Sequence, residues 1–352
     1  MTLKIKLGII GYGGMGHWHG EYAPRAGVEV VAAYDVDPKR LEMAKENGIP
    51  AYDNLDDFLQ HDGMNFVVIA TPNDVHKELT IQSLLAGKHV MVEKPATMSV
   101  ADWDEMVAES EKAGRILTVH QNRRWDRDYR VMRKVVEEGK IGDVLSIESR
   151  VFGTGGAFFG WRSFPEYGGG MILDWGVHLF DQLMNMYPET KVTSVYAKLM
   201  TVLDQKVDDY FKVTLTLENG PLLHVEVGTF AFYKLPRWYV IGNDGTLQID
   251  DFDCKSGGYM KPRYTDTPVA EVVVMTTAGP TRMMAPRPPE TKEDFPLPEV
   301  ETDWTELYAN LVEVMKGNEE LIVKPHQVRR VLELIEAIFR SAEEGRSLDV
   351  RI

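Results

Sequence analysis

The stretch KIKLGIIGYGGMG, residues 4–16, decides the fold. Its apolar run, residues 4–10, reads as a strand. The run breaks into G-x-G-x-x-G at Gly11, Gly13 and Gly16, ahead of a helical pattern. Strand, glycine loop and helix in that order are the context in which the pattern carries weight. Gly11 permits the tight turn, Gly13 lets a pyrophosphate approach the backbone, and Gly16 lets helix and strand pack closely. Tyr12, Gly14 and Met15 complete the loop. The helix start offers unbonded amides and the positive end of a dipole to phosphate. A valine-rich second run, residues 28–34, ends at Asp35. An acid about 20 residues past the loop bonds the ribose hydroxyls of an adenine dinucleotide. The competing reading is a glycine turn followed by a surface aspartate, and it leaves the ordered series unexplained. Asp35 repels a 2′-phosphate and Val36 follows it, so NAD is expected rather than NADP. Lys39 and Arg40 pull the other way.

Outward from this point, strands and helices alternate. FVVIA at 66–70, HVMV at 89–92 and residues 116–120 are further candidate strands, with a short one near Ala51. Near-continuous apolar runs of this kind are buried on both faces. Asp37-Pro38 opens a helix with an N-cap and proline at the first helical position, and Gly48 stops it. Ser99 with Asp102 starts another that ends at Gly114. The alternation predicts an N-terminal doubly wound parallel sheet over residues 1–121. After it the pattern changes. Helices are expected over 127–138, 171–186, 304–316 and Pro325–Glu344. Alternating runs at 192–199, 210–217, 222–232 and 238–241 predict a large, open, mostly antiparallel sheet in a second α/β domain over 122–352. The last helix is free to pack back on the first domain. Residues 276–300, rich in proline and charge, read as a long loop or arm.

The 352 residues exceed one ordinary core and suit two domains of about 100–200 residues each. The net charge of −15 disfavours nucleic acid, which needs a basic face. One cysteine, Cys254, allows no intrachain disulfide and no thiolate cluster, which fits a reducing compartment. The first residues lack the basic start and long apolar core of a secretion signal. No apolar stretch reaches the roughly 18 residues of a membrane span. The chain is therefore expected to be cytoplasmic, with no membrane partner.

Chemistry gathers at three residues. Lys94, in Glu93-Lys94-Pro95, follows the strand at 89–92. Residues just past the strand ends face the ligand crevice of a parallel sheet. A lysine there can hold a substrate hydroxyl and stabilise developing alkoxide charge; the plainer reading is an exposed loop lysine. Asp174 and His178 stand four apart in the helix after Gly168-Gly169-Gly170 and would share one face. A histidine is the natural proton acceptor near neutral pH, and a neighbouring carboxylate can orient it and raise its pKa. A surface ion pair is the plainer alternative. No metal is expected: His17 and His19 cannot share a helix face, and no His-Glu-x-x-His pattern occurs.

At these residues the sequence resembles the glucose–fructose oxidoreductase and inositol dehydrogenase family, Gfo/Idh/MocA. The matching pieces are GYGGMG at 11–16, ATPNDVH at 70–76, EKP at 93–95, WR at 161–162 and GGGMILDWGVH at 168–178. The resemblance implies that Thr71, Pro72 and Asn73 line the nicotinamide side of NAD, with His76 nearby. It implies that Glu93 and Lys94 border the nicotinamide ribose, with Lys94 reaching the substrate. Asn122 and Arg123 would sit where cofactor and substrate meet. Trp161 and Arg162 would contact the cofactor, Asp174 would bind substrate, and His178 would act as acid and base. Trp161 as a core residue, and Arg123 and Arg124 as solvated ones, are the bland alternatives.

The expectation is an NAD-dependent dehydrogenase acting on a small polyhydroxylated substrate, a sugar or an inositol. Two other classes fit the same motifs: a glycosidase that retains NAD and oxidises its sugar transiently, and a non-catalytic NAD-binding regulator. The open sheet carries apolar residues at both parities, with Val225, Val227 and Phe230 on one and Leu222, Leu223 and Phe232 disturbing it. Such a face wants a cover, so a homodimer or homotetramer is expected, as the family resemblance also implies.

Overall fold

The structure, a computed structural model, describes residues 4–155, 160–203, 206–263, 273–282 and 288–352. Six strands form the first sheet: β1 (Lys6–Ile10), β2 (Glu29–Tyr34), β3 (Ala51–Tyr52), β4 (Phe66–Ile69), β5 (His89–Val92) and β6 (Leu117–Val119). All neighbours are parallel, in the order β3-β2-β1-β4-β5-β6. Every residue of β4 is buried. Each such apolar side chain contributes roughly 1.5–3 kcal/mol on leaving water. The order reverses at β1, so the ends of β1 and β4 flank a crevice. The helix caps follow the sequence. Asp37 accepts from Lys39 N at 3.0 Å, and Ser99 accepts from Asp102 N at 3.2 Å.

The second sheet is larger and mixed. Its strands are β7 (Val144–Phe152), β8 (Val192–Met200), β9 (Tyr210–Leu217), β10 (Leu222–Gly228), β11 (Trp238–Gly242), β12 (Gly245–Ile249) and β13 (Gly257–Pro262). A separate hairpin, β14 (Val273–Thr276) and β15 (Gly279–Arg282), follows. Then β16 (Lys292–Phe295) and β17 (Leu348–Asp349) close the two edges. The order is β16-β13-β12-β11-β7-β10-β9-β8-β17, antiparallel except where β10 runs parallel to β7. The helices Arg127–Glu137, Val177–Met186 and Pro325–Glu344 bury their apolar faces against one side.

Four details differ from the sequence reading. The stretch 276–300 is not a plain arm, because β16 within it pairs with β13; residues 283–287 lie outside the described residues. β7, unforeseen, is the strand on which β10 and β11 both pair; its inward Ser149 breaks the apolar alternation. The expected helix over 171–186 opens with a wide turn at Ile172–Gly176, in which Val177 N bonds Ile172 O, before the α-helix begins at Val177. The open face of the sheet is not apolar at both parities. Leu223, Val225 and Val227 point inward, while Arg150, Lys212 and Glu226 form a charged ladder outside, with Leu222 beside them.

The last helix joins the two layers. Val328 and Leu332 sit in the core of the first sheet, and Leu334, Ile335 and Ile338 in that of the second. Leu307, Tyr308 and Leu311, from the helix Glu306–Met315, also enter the first core. Among the described residues, no helix is long and apolar enough to cross a membrane.

Candidate active site in the cleft beside the glycine loop

A cleft of about 1060 Å3 opens at the carboxyl ends of β1, β2, β4 and β5. Gly11 has φ +86°, and a side chain there would strike the Ala70 carbonyl, so the turn requires glycine. A Cβ on Gly16 would lie 1.9 Å from the Gly11 carbonyl, so the helix could not pack on its strand. Gly13 and Gly14 face open space. The helix Gly14–Tyr22 has no side-chain cap and no acidic residue in its first turn, leaving its amides available to an anion. Asp35 stands over the loop, accepting from Tyr12 N at 2.7 Å and Asp37 N at 2.9 Å. These features fit a dinucleotide: open room at the glycines, an uncapped helix start for the pyrophosphate and a carboxylate for the ribose. Arg40 also lines the cleft beside Asp35.

Most of the expected site residues meet here. Gly11, Gly13, Gly14, Met15, Asp35, Thr71, Pro72, Asn73, Glu93, Lys94, Trp161 and Arg162 line the cleft. Trp161 is therefore wall and not core, with the Arg162 guanidinium 4.3 Å from its ring centre. Tyr12 is buried and serves through its backbone amide. Asn73 donates to Gly168 O at 2.9 Å, tying the cleft wall to the glycine segment. His76 does not reach the cleft lining. It is buried, with one ring nitrogen 3.0 Å from Thr71 O and the other 3.0 Å from Pro95 O, bracing two cleft loops.

The Lys94 ammonium donates to Asp174 O at 2.9 Å and to Asp174 Oδ1 at 3.0 Å. Arg162 Nε donates to the same Oδ1 at 3.2 Å. Burial alone would raise the Asp174 carboxyl, but Lys94 and then Arg162 outweigh it and lower its pKa. His178 lies in the first turn of the following helix, buried, its Nδ1 without a partner among the described residues. Burial first, then the charges of Lys94 and Arg123, push its pKa well below the ordinary histidine value. Here the sequence reading is corrected. Asp174 turns to the two cations and not to His178, and the histidine pKa falls instead of rising. Asp174 lies within the wide turn at Ile172–Gly176, and His178 lies in the α-helix that follows it.

Asn122 is buried just past β6. Arg123 does not line the cleft; it lies in another hollow, walled by Trp18, Phe252 and Trp304. Its guanidinium sits 4.2 Å from the Trp175 ring centre and donates to Asp126 at 2.8 Å. Arg124 is not solvated: it is buried and bonds both Asp181 oxygens at 2.7 Å.

The sequence reading missed the surroundings of Glu93. Its Oε1 is 2.9 Å from His19 Nε2 and 2.8 Å from His120 Nδ1, while Tyr308 OH is 2.6 Å from His19 Nδ1. All four residues are buried. Burial alone would raise the Glu93 carboxyl; His120 and His19 outweigh it and hold it well below the usual carboxylate range. Burial first, then His120, lowers His19 to about 4. The usable signal was position, since His120 directly follows β6 as Glu93 directly follows β5.

Comparison with known proteins matches this architecture. Residues 5–121 fit the profile of an oxidoreductase family with an NAD-binding Rossmann fold, and residues 129–248 fit the GFO/IDH/MocA C-terminal domain. The scyllo-inositol 2-dehydrogenase (NADP(+)) IolW of Bacillus subtilis is 26% identical over 98% of this chain and 95% of its own. The myo-inositol 2-dehydrogenase of Thermotoga maritima is 30% identical over 70% of this chain and 75% of its own. A solved NAD-binding protein from Listeria innocua is 40% identical, with a TM-score of 0.92 and 99% of each chain covered. The chain thus belongs to the Gfo/Idh/MocA family of oxidoreductases, with an NAD(P)-binding Rossmann domain and that family's C-terminal sheet domain.

Proposed function

We propose that the protein is an NAD-preferring dehydrogenase acting on a secondary alcohol of a sugar, inositol or related polyol. The observation that carries this reading is Lys94, which lines the cleft at the end away from Asp35, bonds Asp174 and lies near enough to the buried His178 for its charge to lower that histidine's pKa. With adenosine at Asp35 and pyrophosphate at the glycine loop, this end would receive the nicotinamide and the substrate. Two relatives bearing inositol dehydrogenase names support the substrate class. Asp35 supports NAD, although one of those relatives is named for NADP(+).

The bound nicotinamide would supply the hydride acceptor. The protein handles the proton. His178 is neutral near neutral pH, so a ring nitrogen lone pair can take the hydroxyl proton as the carbinol carbon becomes a ketone carbon. The Lys94 ammonium, steered by Asp174, donates to the substrate oxygen and stabilises the charge that grows there. Reversal gives ketone reduction with His178 as the acid. The site takes one small polyhydroxylated molecule, and we propose that two or four copies associate through the outer sheet face. Incubation with NAD+ and a panel of inositols and sugars, read by NADH absorbance, tests the function. Turnover of a polyol supports it, and no turnover across the panel contradicts it.

A further inference from the structure

We propose that the buried Glu93 carboxylate is a fixed anion beneath the nicotinamide end of the cleft, where it favours the cationic, oxidised cofactor over the reduced one. The inference rests on the NAD(P) reading of the cleft and deepens it.

The geometry supplies the anion. Glu93 accepts from Lys94 N–H at 3.2 Å and has His19 Nε2 at 2.9 Å and His120 Nδ1 at 2.8 Å within hydrogen-bond reach. The tautomer of His19 follows from Tyr308. Burial, then Glu93, raises the pKa of that phenol well above its usual value, so it stays protonated and donates to Nδ1. Nε2 is then the N–H. An ionised carboxylate is acceptor-only and suits the two N–H groups of Lys94 and His19, with His120 Nδ1–H as the third. A buried charge so bonded has little freedom to be screened by water.

Its place supplies the function. The cleft runs from the glycine loop past Thr71–Asn73 to Glu93 and Lys94, so Glu93 borders the end opposite Asp35. Asp174 pairs there with both Lys94 and Arg162, which leaves one positive charge in surplus, while Arg123 is paired with Asp126. A cationic ring entering there would be repelled. Glu93 offsets the surplus from the buried side without occupying the cleft.

The same three side chains could be read as a metal site, since one ligand atom from each lies within 4.8 Å of the others. The spacing argues otherwise. The carboxylate oxygen is 2.8 and 2.9 Å from the two nitrogens, hydrogen-bond lengths. Two ligands at zinc distances in a tetrahedron stay about 3.3 Å apart.

The test compares dissociation constants for NAD+ and NADH, by calorimetry, in the full chain and in Glu93→Gln. The ratio Kd(NAD+)/Kd(NADH) should rise on the order of tenfold in Glu93→Gln. It should stay within about threefold of the parent in Glu93→Asp, which keeps the charge. Tyr308→Phe removes a bond at the far end of the network without removing charge; it should lower the melting temperature and leave the ratio unchanged. An unchanged ratio in a folded Glu93→Gln overturns the inference, as does a ratio that follows melting temperature across the three variants. Failure of both nucleotides to bind the parent overturns the underlying cofactor reading and this inference with it. Two measurements on the parent keep the idea testable even where Glu93→Gln does not fold. The Glu93 carboxyl carbon should show the ionised shift throughout a neutral-range NMR titration, and protonation in that range contradicts the proposal. One equivalent of bound divalent metal in the purified protein also contradicts it.

Discussion

The ammonium of Lys94 bonds two oxygens of one residue, the carbonyl and the carboxylate of Asp174, at 2.9 and 3.0 Å. A flexible lysine is thereby aimed from the end of β5 across the cleft to the start of the second domain's helix. Lys94→Ala should lower kcat and raise substrate KM together, because a charged donor to the hydroxyl acts in ground state and transition state alike. Asp174→Asn should show a similar pattern, since it frees Lys94 and Arg162 at once. The double variant should lose little more than the worse single one, because the pair acts as a unit. Additive losses in steady-state kinetics would show that the two residues work separately.

Cofactor choice turns on Asp35. The parent should show a higher kcat/KM with NAD than with NADP, because a carboxylate bonded to the glycine loop repels a 2′-phosphate. Asp35→Ser should lower the NAD to NADP ratio by at least about tenfold, with Arg40 left to meet the phosphate. A parent that prefers NADP would refute this assignment.

The buried histidines and Asp208 set opposite acid responses. His19 has a folded pKa of about 4, so the unfolded chain takes up protons that the folded chain refuses. Stability from this group is therefore present above about pH 6.5 and is lost as pH falls toward 4. His178 acts in the same direction. Burial pushes the Asp208 carboxyl, which accepts from Ile172 N at 2.9 Å, up to about 6. Its folded form holds a proton longer than the unfolded one, so it costs stability as pH rises through that range. Asp208→Asn should stabilise by about 1–2 kcal/mol near pH 8 and by almost nothing near pH 4. Thermal melts across pH read both, and a gain independent of pH would refute the assignment to ionisation.

Assembly is the fourth expectation. The outer face of the second sheet carries the Arg150–Glu226–Lys212 ladder with exposed Leu222 and Tyr196 around it. Light scattering should give a dimer or tetramer, and Leu222→Arg should shift it toward monomer. A parent that is monomeric at working concentration contradicts this expectation.

Local pattern was enough for the first domain. The glycine loop, Asp35, the apolar runs and the caps at Asp37 and Ser99 each act within a few residues, and each stands where its neighbours imply. The second sheet was only partly legible. β7 carries inward Ser149 to satisfy a buried Arg237, a contact between distant segments, and so loses the apolar alternation of a strand. The site shows the same division. Lys94 could be placed from its strand end, but its pairing with Asp174 joins residues 80 apart in the chain, which spacing along one helix does not reveal. The His19–Glu93–His120–Tyr308 network draws on four separate segments and left no mark in the sequence beyond two strand-end positions.

The most direct test of the account is the kinetics of His178→Ala beside Lys94→Met, on whichever polyol the parent oxidises. His178→Ala should bind NAD+ as the parent does and lose about 10²–10⁴-fold in kcat, the usual contribution of an acid–base group. The parent's kcat/KM should hold as pH falls past the ordinary histidine value, since His178 stays unprotonated there, and Lys94→Met, which removes one of the charges that lower His178, should move its acid fall-off to higher pH at a lower rate. A His178→Ala enzyme with near-parental kcat, and a basic dependence abolished only in Lys94→Met, would contradict the account and make Lys94 the base.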